Sequence, residues 1–129
     1  MGIKKSKMLS NVEIVGTDLD SRAAATALRM GAVDSVTRNL IAGVKGANLV
    51  IIATPQMAIK DILKSIGFYL EPGTTVTDTA TSKGCVIQWA KDYLPPGVNF
   101  VGGHPLVSKV DTGPDRADAS LFEGTNYCL

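Results

Sequence analysis

The chain has 129 residues, of which 45% are hydrophobic and 19% are charged, a composition typical of one globular domain. Thirteen lysines and arginines against twelve aspartates and glutamates give a formal charge of +1, so no excess basic charge favours nucleic acid or an anionic membrane as partner. Two cysteines and one histidine suit neither a disulfide framework nor a zinc site, and we expect no bound metal.

The apolar runs are too short for a membrane span. The longest uninterrupted run, residues 49–53, is far below the roughly 20 residues that a spanning helix needs. Lys4, Lys5 and Lys7 resemble the basic start of a secretion signal, but no apolar segment of about 7–15 residues follows them. We therefore expect a cytoplasmic protein without a membrane partner.

Short β-rich apolar runs alternate with helical patterns along the chain, which is typical of parallel βαβ units. The first predicted strand covers residues 12–16, and the later ones cover residues 49–53, 75–79 and 99–102. The run Leu-Val-Ile-Ile-Ala at 49–53 is apolar on both faces, which predicts a strand in the middle of the sheet. The pattern therefore predicts an α/β fold with a parallel sheet and helices on both faces.

Helices are predicted between these strands. Asp20 or Ser21 can cap an alanine-rich helix that stops near Gly31. Pro72-Gly73 and the Pro-Pro-Gly at 95–97 break the chain ahead of later strands. Two further helices each have one apolar face that should pack on the sheet: Ile59, Ile62, Leu63, Ile66 and Leu70 in one, and Val86, Trp89, Ala90, Tyr93 and Leu94 in the other.

The two ends of the chain have an unfinished pattern. Residues 2–9 resemble the tail of a basic helix that leads into the first predicted strand, without an earlier strand or glycine-rich turn. At the other end, Tyr127-Cys128-Leu129 is apolar and strand-like, with no polar segment to terminate it. These patterns predict a domain that is incomplete at both ends.

Asp18 is the first candidate binding residue, because it follows the strand predicted at 12–16. In a dinucleotide-binding unit, an acidic residue at this place accepts hydrogen bonds from the adenosine ribose and repels the extra phosphate of NADP. The alternative is that Asp18 only turns the chain before the helix. The companion motif G-x-G-x-x-G does not occur in the sequence.

Ala53-Thr54-Pro55 is the second candidate. It stands at the carboxyl end of a predicted strand, where open α/β sheets bind their ligands. Thr54 offers a hydroxyl and Pro55 stiffens the turn. A Thr-Pro pair can also simply end a strand and begin a helix, so both interpretations stay open.

The polar segment Asp78-Thr79-Ala80-Thr81-Ser82-Lys83-Gly84 is the third candidate. It follows a predicted buried strand, and such a polar cluster reduces core stability unless it has partners, so a polar ligand is one explanation. The other explanation is helix capping by Thr81 or Ser82, with Lys83 as a solvated charge.

Gly102-Gly103-His104-Pro105 places the only histidine of the sequence just after a strand. The two glycines permit the close approach of another group, and Pro105 fixes the direction of the outgoing chain. Although a lone histidine is more often structural, this location favours a general base or a hydrogen-bond acceptor.

Together, the segments VGTD, IIATP, VTDTATSKG, FVGGHP and LFEGTNY resemble, in order and spacing, the nucleotide-binding domain of prephenate dehydrogenases. That family oxidises prephenate with NAD or NADP and releases carbon dioxide, giving 4-hydroxyphenylpyruvate on the route to tyrosine, and related members act on arogenate. The resemblance implies a Rossmann-like sheet in which residues 1–129 form an incomplete NAD-binding domain. The first strand with its glycine-rich turn, and the helical domain for substrate and dimerisation, would be missing.

The resemblance also implies roles for particular residues. His104 would hydrogen-bond the substrate hydroxyl and help take its proton, and Thr81 stands where the family usually has a serine near that hydroxyl. Lys83 matches a family lysine and would bind substrate. Asp18 implies NAD as the cofactor, which residues 53–55 would also contact.

One departure from the family follows the histidine. The family commonly continues with Met-Ala-Gly and a nearby glutamate, whereas this chain has Leu-Val-Ser-Lys-Val at 106–110, which contains no acidic residue to make that contact. Arogenate, or another hydroxy acid, is an alternative substrate, and a nucleotide-binding module without turnover is an alternative of another class. We expect a small-molecule substrate, a homodimer only for the complete protein, and no prephenate turnover by these 129 residues alone.

Overall fold

Parallel strands and helices alternate along the chain in the computed structural model, which describes residues 2–5, 11–107 and 113–129. The α/β class predicted from the sequence is confirmed. The chain divides into two units. Unit 1 comprises Met1–Asn39 and Leu106–Asn126, and unit 2 comprises Leu40–Pro105 and Tyr127–Leu129.

Unit 1 is built around one short parallel strand pair. Val15 is in register with Ser35, and Gly16 with Val36. Asp20 caps the following helix by accepting a hydrogen bond from the Arg22 N–H at 2.8 Å. The elements of unit 1 are α1 (Gly2–Lys5), β1 (Val15–Gly16), α2 (Ser21–Arg29), β2 (Ser35–Val36) and the 3-10 turns Pro114–Arg116 and Ala119–Phe122.

Asp34 fastens the beginning of unit 1 to its strand pair. Its carboxylate accepts the Ile14 N–H at 2.9 Å and forms an ion pair with Lys4 of α1. The hydrogen bond from the Lys4 side chain, followed by that from the Ile14 backbone, holds the pKa of Asp34 below its usual value of 3.8. The folded state of unit 1 therefore favours the ionised form of Asp34. Its hydrogen bond to the Ile14 N–H holds the chain in place just before β1.

Unit 2 has a three-stranded parallel sheet in the order β3-β4-β5. A second, antiparallel pair joins the segment after β5 to the last residues of the chain, with His104 opposite Cys128 and Pro105 opposite Tyr127. Its elements are α3 (Leu40–Val44), β3 (Leu49–Ile52), α4 (Gln56–Ile66), a 3-10 turn (Gly67–Tyr69), β4 (Thr75–Asp78), α5 (Gly84–Tyr93), β5 (Asn99–Gly102), β6 (His104–Pro105) and β7 (Tyr127–Cys128).

The core of unit 2 lies between α4, α5 and one face of the sheet. Val76 of the central strand is completely buried, as are Ile59, Leu63 and Ile66 of α4 and Val86 of α5. Burial of each such side chain contributes about 1.5–3 kcal/mol to folding. Both predicted apolar helix faces are confirmed, since the remaining members are buried or pack against this core.

The prediction that residues 49–53 form a mid-sheet strand is wrong for the residues described. β3 pairs with β4 alone, and β4 is the central strand. The apolar run was interpreted as covered on both faces, but Leu49 and Ile51 point to the face away from the core and are 52% and 44% exposed. Only the alternate residues, Val50 and Ile52, face the core.

Other boundaries differ in smaller ways. Residues 12–14 precede β1 without belonging to a strand, while Ala53 and Thr79 lie just past the ends of β3 and β4. The turn predictions are confirmed, since Gly73 and Gly97 have φ of 93° and 89° and the Gly73 N–H donates to the Gly97 carbonyl. The short β2 and α3 were not predicted.

Three sequence predictions concern the ends and one loop. The basic helix is confirmed at Gly2–Lys5, and the strand-like end is confirmed at Tyr127–Cys128. The remainder of the predicted basic helix, at 6–9, and residues 108–110 of the segment after the histidine lie outside the described residues. Among the described residues, no helix is long and apolar enough to span a bilayer.

Candidate active site

The candidate site of unit 2 lies where its three parallel strands end. Ile52, Asp78 and Gly102 are in register across β3, β4 and β5. The segments that carry Thr54, Thr81 and His104 leave the sheet directly after these residues. Three of the four predicted segments are thus brought to one sheet edge, the edge at which open α/β sheets bind ligands.

Asp78 is the polar centre of this edge. Its side chain is completely buried at the end of β4. One carboxylate oxygen, Oδ2, accepts the Ala80 N–H at 3.0 Å and the Lys83 ammonium, and the other, Oδ1, accepts the Gly103 N–H at 3.2 Å. The carboxylate therefore links β4, the loop before α5 and the segment that carries His104.

His104 begins β6, directly after the residue that Asp78 holds. The residue is partly buried, and its Nδ1 is a buried atom without a hydrogen-bond partner among the described residues. Buried polar atoms normally have partners, so an unpaired one in a ligand-binding position points to function.

The close approach predicted at Gly102-Gly103 is confirmed. A Cβ on Gly103 would lie 2.8 Å from the Asp78 carbonyl oxygen and would collide with the Tyr127 hydroxyl of β7. A Cβ on Gly102 would meet the Lys83 side chain at 3.1 Å. The chain just before His104 is therefore packed tightly against β4, β7 and the Lys83 stem.

The polar loop after β4 does not cap α5 with a hydroxyl. Lys83 occupies the N-cap position, and no side chain hydrogen-bonds the first turn. Thr81 and Ser82 are exposed instead. The capping alternative for this segment is thus wrong in the structure, and both hydroxyls stay available to a ligand.

Lys83 forms an ion pair, so the alternative that it is only a solvated charge is wrong. Its ammonium pairs with the buried Asp78 carboxylate, and its side chain is 25% exposed. An ammonium has three N–H donors, so the ion pair leaves donors for a second partner. Lys83 therefore both neutralises Asp78 and faces the edge of the site.

Residues 53–55 connect β3 with α4 at the same edge. Pro55 is the N-cap of α4, so the interpretation of Thr-Pro as a strand end and helix start is confirmed. Thr54 is half-buried, and within the described part of the chain its hydroxyl makes a single long contact, 3.5 Å, to the Pro55 carbonyl. Its hydroxyl is thus weakly engaged inside the protein.

Asp18 belongs to unit 1 and follows β1. Its Oδ1 accepts the Asp20 N–H at 2.8 Å, so the carboxylate does turn the chain ahead of α2. The side chain is exposed. Because the turn uses one oxygen, the second can still meet a ribose hydroxyl, and the two interpretations of Asp18 are compatible.

The family profile described as "Prephenate dehydrogenase, nucleotide-binding domain" matches residues 3–129. The chain belongs to this family. Among curated relatives, it is 35% identical to the prephenate dehydrogenase of Bacillus subtilis strain 168 over 90% of this chain, and 32% identical to that of Lactococcus lactis subsp. cremoris over 100%. The aligned part makes up 32% and 36% of those two proteins, so this chain spans about a third of their length.

Solved structures of this oxidoreductase family share the fold. The prephenate dehydrogenase of Aquifex aeolicus, crystallised with hydroxyphenyl propionate and NAD+, matches with a TM-score of 0.83 and 24% identity. The arogenate dehydrogenase of Synechocystis matches with a TM-score of 0.84 and 23% identity. Each match covers 98% of this chain and 44% of the other. The predicted Rossmann-like fold is confirmed.

Sequence reasoning missed two residues of this edge. Asp78 was part of the polar cluster but was given no role, although an acid at the end of a strand predicted to be buried is a signal that it needs buried partners. Tyr127 belongs to a segment that the family shares, yet its contact with Gly103 joins residues far apart in the sequence. No local pattern could have revealed that contact.

The close packing at Gly103 generates a prediction. Gly103→Ala should lower the free energy of unfolding by about 1–3 kcal/mol, the scale of overpacking, because its Cβ would meet backbone of β4. Urea denaturation measures the change. Gly84→Ala is the matched control, since a Cβ there meets nothing within 4 Å, and it should leave stability unchanged or raise it by up to about 1 kcal/mol. Equal stability of the two variants would contradict the described packing.

Proposed function

We propose that this chain serves as the nucleotide-binding part of an NAD-dependent prephenate dehydrogenase. The reaction converts prephenate and NAD+ into 4-hydroxyphenylpyruvate, carbon dioxide and NADH. One observation carries the proposal: in a chain of this family, the single histidine lies at the carboxyl edge of the parallel sheet, the edge from which the loop with exposed hydroxyls and a lysine also leaves. Cytoplasmic location and homodimerisation of the complete protein stay predictions.

His104 is the proposed general base. Its imidazole would accept a hydrogen bond from the ring hydroxyl of the substrate and take that proton as the carbon gives up its hydride. The proton would return to the oxygen when loss of carbon dioxide makes the ring aromatic. General bases of this kind typically contribute 10²–10⁴-fold to the rate.

Thr81 and Lys83 are the proposed substrate contacts. The exposed Thr81 hydroxyl would hydrogen-bond the reacting oxygen and so fix its orientation toward His104. Lys83 would place a positive charge toward the carboxylates of the substrate through the donors that Asp78 does not use. Loss of one carboxylate as carbon dioxide makes the ring aromatic, so the second carboxylate is the one that stays bound.

Each unit has its own proposed contacts to NAD. Asp18 is exposed after β1 with one oxygen free of the turn, which suits the adenosine ribose, and residues 53–55 lie at the ligand edge of unit 2. Bound NAD+ would supply the hydride acceptor. The sequence has no G-x-G-x-x-G turn, and we assign none of its residues to the pyrophosphate.

Arogenate is a second candidate substrate, because one structure with this fold is an arogenate dehydrogenase. Prephenate carries a keto group in its side chain where arogenate carries an amino group, so the two differ away from the reacting hydroxyl. Comparison of kcat/KM for the two substrates separates the candidates. NAD+ binding without turnover of either would instead indicate a nucleotide-binding module.

Replacement of His104 tests the proposed chemistry. In the full protein, His104→Asn should lower kcat for prephenate by about 100-fold or more, because the base is lost. NAD+ affinity should be unchanged, because His104 contacts the reacting hydroxyl. Initial rates of NADH formation and calorimetric NAD+ titration measure the two quantities. A variant that keeps its full rate would exclude His104 as the base.

Replacement of Asp18 tests cofactor choice. Asp18→Asn keeps a side-chain oxygen for the Asp20 N–H but removes the charge that would repel the phosphate of NADP. The ratio of kcat/KM for NADP to that for NAD should rise at least fivefold, corresponding to about 1 kcal/mol for two charges 4 Å apart in water. Asp20→Asn is the matched control, since asparagine caps a helix equally well and the ratio should not move. No change in Asp18→Asn would remove Asp18 from the cofactor site.

A further inference from the structure

We propose that Asp78 is the positioning residue of His104: its buried carboxylate fixes the Gly103 N–H and thereby sets the direction in which β6 presents the imidazole. This inference rests on the proposed function and adds to it a residue that has no contact with the substrate. The carboxylate acts within unit 2, through the three hydrogen-bond partners described above.

The first step of the argument is the cost of burying Asp78. A carboxylate with no exposed surface is strongly unfavourable unless it is paired and hydrogen-bonded. Here the Lys83 ammonium supplies the opposite charge, and two backbone N–H groups supply further hydrogen bonds. Satisfying this group thus forces the loop after β4 and the segment after β5 to approach it.

The second step concerns which atoms this requirement fixes. Oδ2 holds the Ala80 N–H and Lys83, which follow β4, whereas Oδ1 holds the Gly103 N–H, which follows β5. A single carboxylate has a rigid plane, so the two groups of partners are set relative to each other. Gly103 immediately precedes His104, and its position determines where β6 begins.

The third step is that Gly103 has little room to move. The Tyr127 side chain of β7 and the Asp78 carbonyl both lie where a Cβ of Gly103 would be, and β6 is held by its pairing with β7. The hydrogen bond to Asp78 therefore acts on a segment that is already confined. A small displacement there is transmitted to the imidazole, and misplacement by about 1 Å can lower a rate by 100-fold.

The test compares two substitutions in the full protein. Asp78→Asn retains an Oδ1 acceptor for the Gly103 N–H but removes the charge, whereas Asp78→Leu has a similar size and no acceptor. Asp92→Asn, which replaces an exposed acid of α5, is the matched control. Measured quantities are kcat and KM for prephenate, both normalised to NAD+-binding sites, and amide hydrogen exchange at Gly103.

The expected results separate positioning from mere stability. Asp78→Leu should lower kcat per NAD+-binding site by about 100-fold and speed exchange at Gly103 at least about tenfold. Asp78→Asn should lower kcat by about threefold only, because its acceptor remains. Asp92→Asn should match the wild type. A structural role alone would reduce the number of binding sites but not the kcat of each remaining site.

Two outcomes would overturn the inference: equal kcat per site in Asp78→Leu and the wild type, or unchanged exchange at Gly103. If Asp78→Leu does not fold, Asp78→Asn decides: a 100-fold loss of kcat with wild-type exchange at Gly103 would show that the charge, and not the hydrogen bond, sets the rate, and would overturn the inference too. A wild-type protein that does not oxidise prephenate would refute the proposed function instead. The exchange data would then still decide whether Asp78 holds Gly103.

Discussion

A buried carboxylate at the end of the central strand organises the candidate site. Asp78 has no exposed surface, and it is satisfied by one ammonium and two backbone N–H groups from both neighbouring segments. Because an unpaired charge in that place would be strongly destabilising, the fold cannot form without bringing those segments together. The residues that we assign to chemistry lie on these segments, at the point where the sheet ends.

The same arrangement explains why small residues precede His104. Gly102 leaves room for the Lys83 stem, and Gly103 leaves room for Tyr127 and the backbone of β4. Lys83 has two functions in this account, as counter-ion of Asp78 and as a substrate contact. Removal of its charge would therefore affect both the packing and the binding of the site, which makes substitutions of Asp78 the cleaner test of positioning.

Much of the fold could be predicted because its signals are local. Helix periodicity predicted the buried faces of α4 and α5, and the turn residues Gly73 and Gly97 marked the strand starts. The position of β3 in its sheet could not be predicted, because the apolar composition of a strand does not say which strands lie next to it. β3 is an outer strand of the described sheet, and its Leu49 is half-exposed although it is apolar. The strands β6 and β7 pair across a long separation, so their contact has no local signature.

The segments that form the candidate site could be predicted from the sequence, but the contacts between them could not. His104, Thr81 and Thr54 were singled out by their positions after strands, and the strand register confirms that their segments share one edge. The sequence could not show that Lys83 pairs with Asp78, or that this pair reaches Gly103. Those contacts join β4, the loop after β4 and the segment after β5, which are separated in the sequence. The proposed positioning of His104 depends on them.

A double-mutant cycle between Asp78 and His104 tests the central claim most directly. It compares kcat for prephenate, per NAD+-binding site, in Asp78→Leu, His104→Asn and the double variant. If Asp78 acts through the imidazole, the double variant should be no slower than His104→Asn alone, within about twofold, because no base remains to be positioned. Multiplication of the two single effects in the double variant would contradict this account.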